Sequence, residues 1–226
     1  MYLNCHTYYS LRYGVLSPRQ LVDKAASWGI DTLVLTDINN TSCAFEFVRH
    51  CEAVGIKPVL GMELRRNNEL LYVAIAINIS GFGEINRFYS LHALENKPLP
   101  DRAPDFKDVY VIYPEPAWKS PVSQLRRNEF LGIRPEGVNR LQTKGLSRYQ
   151  HKLLVWSPVV FLQEQQFILH QLLRAIDLNT VLSKLQPKDM APKSDVLLPQ
   201  ETLENYFSQY PRIIENTRRL LDTCEL

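Results

Sequence analysis

His6, Asp37 and Glu63 are the side chains of this sequence that could share a divalent cation. Each ends an apolar run. Tyr2-Leu3 leads into Asn4-Cys5-His6, Leu33-Val34-Leu35-Thr36 leads into Asp37, and Val59-Leu60 leads toward Glu63. One imidazole and two carboxylates brought together from neighbouring strands can bind zinc or manganese. The signal is one of register, because no local spacing repeats. The same residues serve equally well as a turn cap (Asp37) and a packed histidine (His6). Asn4 stands two residues before His6, on the same side of a strand. Its amide is a poor ligand, but Asn4 and Glu136 are the residues that could extend the set. Cys5 adjoins His6, yet strand neighbours face opposite ways, so this histidine cannot activate that thiol. His50, His92, His151 and His170 read as surface or packing residues. No glycine-rich phosphate loop and no GxSxG elbow is present.

The elements that must position these groups are well signalled. Ser17-Pro18-Arg19-Gln20 is a capping box with proline at the first helical position, and Leu21, Val22, Ala25 and Ala26 give the helix an apolar face. Gly29 stops it. Ala44, Phe47, Val48 and Cys51 form a second helix stopped by Gly55. The two exits, Gly29-Ile30-Asp31 and Gly55-Ile56-Lys57, lie 26 residues apart, one βα unit after another. Leu71–Ile77 reads as a continuous apolar strand, followed by a helix carrying Ile85, Phe88, Tyr89 and Leu91. Residues 95–108 form a loop with three prolines. Further strands are expected at Val109–Tyr113, Glu129–Ile133 and Leu153–Val155, with a last barrel segment running Val155–Phe161. About seven buried strands alternating with helical pieces predict a parallel sheet covered by helices. That is an α/β fold of the (β/α) barrel type, one strand short of eight.

Strand signals stop near residue 161. Ile168, Leu169, Leu172, Leu173 and Ile176 make a helical stripe, 186–198 is a polar loop, and Ile213, Ile214, Leu220 and Leu221 mark a final helix. The expected domains are therefore a barrel over 1–161 and a helical extension over 162–226 packed on it. Ending on an amphipathic helix, the chain is expected to be a piece of a longer protein.

Composition narrows the classes. The 226 residues are 45% hydrophobic and 22% charged, ordinary for a globular domain. Net charge is +2, far from the strongly basic balance of a dedicated nucleic-acid binder. Arg65-Arg66, Arg126-Arg127 and Arg218-Arg219 read as solvated faces. No apolar run approaches the roughly 18–20 residues that span a bilayer, and the start is not a secretory signal, so no membrane partner and a cytoplasmic location are expected. The four cysteines have no CxxC spacing and are expected to be reduced thiols.

Three stretches resemble a known family. Leu3 to Gly14, Thr36-Asp37-Ile38-Asn39-Asn40, and Gly55-Ile56-Lys57-Pro58-Val59-Leu60-Gly61-Met62-Glu63 are similar to the first three motifs of the PHP (polymerase and histidinol phosphatase) domain. Their flavour is that of the N-terminal domain of the bacterial DNA polymerase III alpha subunit. Asn78 to Ser90 and Pro211 to Leu226 continue the likeness; 95–150 matches weakly. The resemblance implies a distorted (β/α)7 barrel with up to three divalent ions at the strand ends. It carries over three ligand positions, His6, Asp37 and Glu63. The others depart from the family pattern: Asn4 and Ile38 replace histidines, Leu71 stands where the fourth strand often opens with histidine, Glu136 replaces a later histidine, and Pro158-Val159-Val160 replaces the closing Asp-x-His. A polynuclear site needs bridging ligands and an orienting surround, and these departures remove both.

The resemblance therefore implies a catalytically degenerate PHP domain of a polymerase III alpha-type subunit in DNA replication. No cofactor is expected. Its partners would be the polymerase core of the same parent, a nucleotidyltransferase acting on DNA beyond residue 226, and a proofreading exonuclease or another replisome subunit. The apolar stripes of the C-terminal helices would meet that core. The alternative is a metal-dependent phosphoesterase or 3′–5′ exonuclease holding zinc or manganese weakly at His6, Asp37 and Glu63, helped by Asn4 or Glu136. An unrelated barrel enzyme for a small phosphorylated substrate ranks last.

Overall fold

The computed structural model describes residues 1–225. Seven strands follow one another around a single curled sheet: β1 (Tyr2–Cys5), β2 (Thr32–Leu35), β3 (Lys57–Arg66), β4 (Glu69–Ala76), β5 (Val109–Pro114), β6 (Glu129–Ile133) and β7 (Leu153–Val155). The segment after β7 returns to β1. His6 N–H donates to the Val159 carbonyl at 2.9 Å, and Val159 N–H donates to the Asn4 carbonyl at 2.8 Å. This seam closes the sheet into a ring, which leaves no strand edge open there.

Helix α1 (Pro18–Ser27) starts as its sequence dictates. Ser17 accepts from Gln20 N–H, and the Gln20 side chain accepts from Ser17 N–H. Gly29 and Gly55 both take positive φ, 67° and 76°, a conformation that costs glycine nothing and any other residue strain. They end α1 and α2 (Ala44–Val54) and turn the chain back into β2 and β3. Helix α3 (Ile79–Leu94) follows β4.

One expectation about the sheet is corrected. It is mixed, not parallel: β4 runs antiparallel to both β3 and β5. No helix separates β3 from β4. Asn67 and Asn68, with φ of 50° and 66°, form a tight hairpin of the kind whose two central residues need positive φ. The last barrel segment is also shorter than expected. Regular strand ends at Val155, and only single bridges, at Val159 to β1 and at Phe161 to Val196, continue it.

Side chains alternate between two cores. Leu3, Val34, Val59, Ile75, Ile112 and Trp156 fill the inside of the ring. Tyr2, Cys5, Leu33 and Leu35 face the helices. Tyr2 and Cys5 share a side although three residues apart, because a bulge between them shifts the register against β2.

Beyond the barrel lie α4 (Phe167–Asp177), α5 (Gln200–Tyr206) and α6 (Pro211–Asp222). The apolar stripe of α6 is spent within the fold. Ile213, Ile214, Leu220 and Leu221 are buried, and Leu220, Leu221 and Cys224 plug the end of the ring where β3 and β5 begin. Lys57 Nζ donates to the Leu221 carbonyl at 2.9 Å, and Glu225 N–H to the Ile77 carbonyl at 2.7 Å. Helix α4 does the reverse of what its stripe predicts. Its buried face is Phe167, His170, Arg174 and Ala175, while Ile168, Leu169, Leu172 and Ile176 point to solvent. Among the described residues no helix is long and apolar enough to cross a membrane.

Candidate functional site

The carboxyl ends of β1 and β2 and the middle of the long strand β3 bring Asn4, His6, Asp37 and Glu63 to one rim of the ring, all about 1% exposed. β3 runs on past the rim, so that Glu63 is level with Ile38 and its N–H bonds the Asp37 carbonyl. Because β4 is antiparallel, its start lies beside this rim. Glu69 and Leu70 line the mouth from β4; Leu71 packs toward the helices.

Asp37 is held by the loop that follows β1. Its Oδ1 accepts from Thr7 N–H at 2.7 Å and from Ser10 Oγ at 2.6 Å, and its Oδ2 accepts from Thr7 Oγ1 at 2.7 Å. Burial raises the Asp37 pKa, against the opposing pull of Ser10 and Thr7. Glu63 is held by three other groups. Asn4 Nδ2 donates to Oε2 at 2.6 Å, His6 Nε2 lies 3.2 Å from the same oxygen, and Arg65 Nε donates to Oε1. Burial alone would raise the Glu63 pKa. The Arg65 guanidinium and His6 outweigh it and hold the carboxyl well below its usual range. Arg65 in turn is pushed upward by Glu63 against its own burial, and lies over the Tyr13 ring at 4.3 Å. Asn4 spends its other amide atom accepting from Thr36 Oγ1 at 3.2 Å.

The result is a chain of polar contacts: Asp37, Ser10, His6, Glu63, Arg65. His6 stands in the middle, with Nδ1 3.2 Å from Ser10 Oγ and Nε2 facing Glu63. Among the described residues no group of three His, Cys, Asp or Glu side chains is arranged to hold a metal ion. The fit of a cation can be judged on the donors themselves. Both oxygens of each carboxylate already accept hydrogen bonds from the protein, and a guanidinium sits against Glu63. The residues present do not fit the group. Nor is this a nucleophilic triad. Ser10 is fully buried, and it lies between the imidazole and the carboxylate instead of at the end of the relay.

Two sequence expectations are corrected at the rim. Glu136 lies exposed in the 3-10 turn Pro135–Arg140, outside the mouth; its neighbour Arg134 lines the mouth instead. Arg65 belongs to no solvated face: its side chain is 13% exposed and carries the positive charge of the site. The mouth above is an open cavity of about 560 Å³. Its far wall is an ion pair that sequence reading missed, Arg134 donating through Nη1 and Nη2 to the two oxygens of buried Asp195 at 2.6 and 3.2 Å. No local pattern joins residues so far apart in the chain. Arg65 had a signal, because two residues after Glu63 on a strand it must share that side chain's face.

A curled sheet of seven strands, with an imidazole and two carboxylates at its rim, gives the chain the architecture of a distorted (β/α)7 barrel. The PHP domain matches residues 3–215, and the chain belongs to that family. Among curated proteins it is 26% identical over 244 residues to the DNA polymerase III subunit alpha of Mycoplasma genitalium, covering all of this chain and 26% of that one. It is 21% identical over 270 residues to an error-prone DNA polymerase of Symbiobacterium thermophilum, covering 99% of this chain and 25% of the other. The chain thus spans about a quarter of the length of these relatives. A solved two-domain protein of Bacteroides vulgatus, described as containing a predicted PHP-like metal-dependent phosphoesterase, aligns over 98% of this chain and 62% of its own at 16% identity, with a TM-score of 0.38.

Proposed function

We propose that this chain is a structural PHP domain of a DNA polymerase III alpha-type polypeptide, and that its rim does not run metal-dependent phosphoester hydrolysis. The observation that carries the reading is the occupation of the donors. A working site needs carboxylate lone pairs free to bridge ions and a hydroxide between them. Here Thr7 and Ser10 occupy three of the roughly four acceptor sites of Asp37, and Asn4, His6 and Arg65 occupy three of those of Glu63. Arg65 supplies at Glu63 the positive charge that an ion would supply. The rim is then a cross-brace joining β1, β2 and β3, and the domain supports a polymerase core or a replisome subunit such as a proofreading exonuclease. The full-length relatives support the polymerase context.

Elemental analysis of purified protein for zinc, manganese and iron tests this, together with digestion of a labelled single-stranded DNA in added Mn²⁺. The expected result is below about 0.1 ion per chain and no digestion. One or more ions per chain, with digestion lost in His6→Ala, would replace this reading with the phosphoesterase or 3′–5′ exonuclease.

A further inference from the structure

Helix α4 presents a continuous apolar face to water. Ile168 is 63% exposed, Leu169 49%, Leu172 44% and Ile176 64%, and Val181 and Leu182 extend the patch through the following turn. The spacing 169, 172, 176 is that of a helix-pairing seam. Nor can the helix roll to bury it. His170 Nδ1 donates to the Tyr13 carbonyl at 2.7 Å, and its Nε2 accepts from Ala191 N–H at 2.9 Å. Arg174 donates to the Asp189 carbonyl at 2.7 Å and to the Arg12 carbonyl at 3.4 Å. Rolling the helix would strand these buried polar groups, at a cost that exposure of the stripe does not match.

We propose that this face pairs with the same face of a second copy of the chain. Two observations favour that occupant. First, from Phe167 to Leu182 the charged side chains are Arg174, which is turned inward, and Asp177, which is paired with it at 2.7 Å. A two-fold contact sets a patch against itself, and this one has no unpaired charge to repel its own image. Second, the area suffices. The six side chains expose roughly 500–600 Å² per copy, so a pair would bury about 1,000 Å² or a little more, the lower bound of a specific interface. A groove of about 710 Å³ between Leu172, Ile176 and the turn at 179–183 can take the ridge of the opposing helix. An interface of this size gives a weak dimer, with dissociation in the micromolar range or above.

Sedimentation equilibrium of the whole chain, from about 1 to 200 µM, reads the proposal directly. The expected result is a mass rising from one copy toward two across that range. Leu172→Glu combined with Ile176→Glu should hold the chain monomeric throughout, with an unchanged circular dichroism spectrum because both positions are exposed. Leu94→Glu, at an 80% exposed site on α3, is the control and should dimerise as the parent does. A parent chain monomeric at every concentration overturns the proposal and leaves the face to a different polypeptide. So does a dimer that survives the α4 changes, or one that Leu94→Glu abolishes equally.

Discussion

At the scale of single residues, the rim is an exercise in compensating a buried charge. Glu63 is almost fully buried and ionised, which is costly unless it is paired and hydrogen-bonded. Three side-chain partners, Asn4, His6 and the guanidinium of Arg65, meet that requirement. Arg65→Met should therefore cost about 3–5 kcal/mol, because it leaves a carboxylate buried without its counter-charge. Adding Glu63→Gln to Arg65→Met should recover part of the loss, and urea unfolding of the two single variants and the double variant measures the coupling. An Arg65→Met cost below about 1 kcal/mol would mean that the guanidinium is not what holds the charge. Much of this was legible before the structure. The register of three neighbouring strands brings His6, Asp37 and Glu63 to one rim, although β3 runs on past Glu63 to Arg66, and Asn4 two residues before His6 marks the departure. The role of Arg65 was obscured by its neighbour: two adjacent arginines read as surface, and only burial by Tyr13 and Glu63 separates them. Asp195 could not be anticipated, because its partner Arg134 is remote in sequence and no spacing encodes the contact.

At the scale of elements, the loop from Thr7 to Gly14 governs the site. Tyr8 N–H donates to the Leu16 carbonyl at 2.8 Å, and Ser10 N–H to the Thr7 carbonyl at 2.9 Å. The same Thr7 carbonyl lies against Gly14, where a Cβ would come within 1.8 Å of it. Gly14→Ala must push Thr7 away, and with it two of the three donors to Asp37. A loss of more than about 2 kcal/mol is expected, read by thermal unfolding; a variant as stable as its parent would show the loop to be slack. Helix starts and stops were readable from Ser17, Gly29 and Gly55, since caps are local chemistry. The direction of β4 was not, because an apolar strand buried on both faces has the same pattern in either direction. Its sign lay in Asn67-Asn68, two residues that tolerate positive φ. Helix α4 misled for a different reason. Its stripe has the pattern of a buried face, but the contacts of His170 and Arg174 decide which side turns inward, and those partners come from residues 13, 189 and 191.

At the scale of the whole molecule, one buried histidine links acidity to stability. Burial, with Arg174 close by, pushes His170 down to about 4 from its ordinary 6.5; the hydrogen bond to Tyr13 only partly opposes this. Its Nε2 accepts from Ala191 N–H, so the neutral ring is the one the fold uses. In the unfolded chain the ring takes up a proton below about 6.5, while in the folded chain it does so only near 4. The unfolded state thus binds more protons between these values, and stability falls as pH drops through that window. Melting temperatures from pH 7 to 4 should decline in the parent chain, and less steeply in His170→Asn. Parallel slopes for the two would assign the decline to other groups.

The seam between Cys5 and Val159 bears on how quickly such a molecule can form. β1 meets β2 early, but its second neighbour arrives only after the rest of the ring has been laid down. Thr217 Oγ1, which receives Val155 N–H at 2.9 Å, comes later still. Contacts so distant along the chain demand that the entropy of a long loop be spent before any of it is returned. Closure is therefore expected to be a late step of folding. The rim need not wait for it, because the side-chain contacts of Asn4, His6, Asp37 and Glu63 join only β1, β2, β3 and the loop after β1, which come first in the chain.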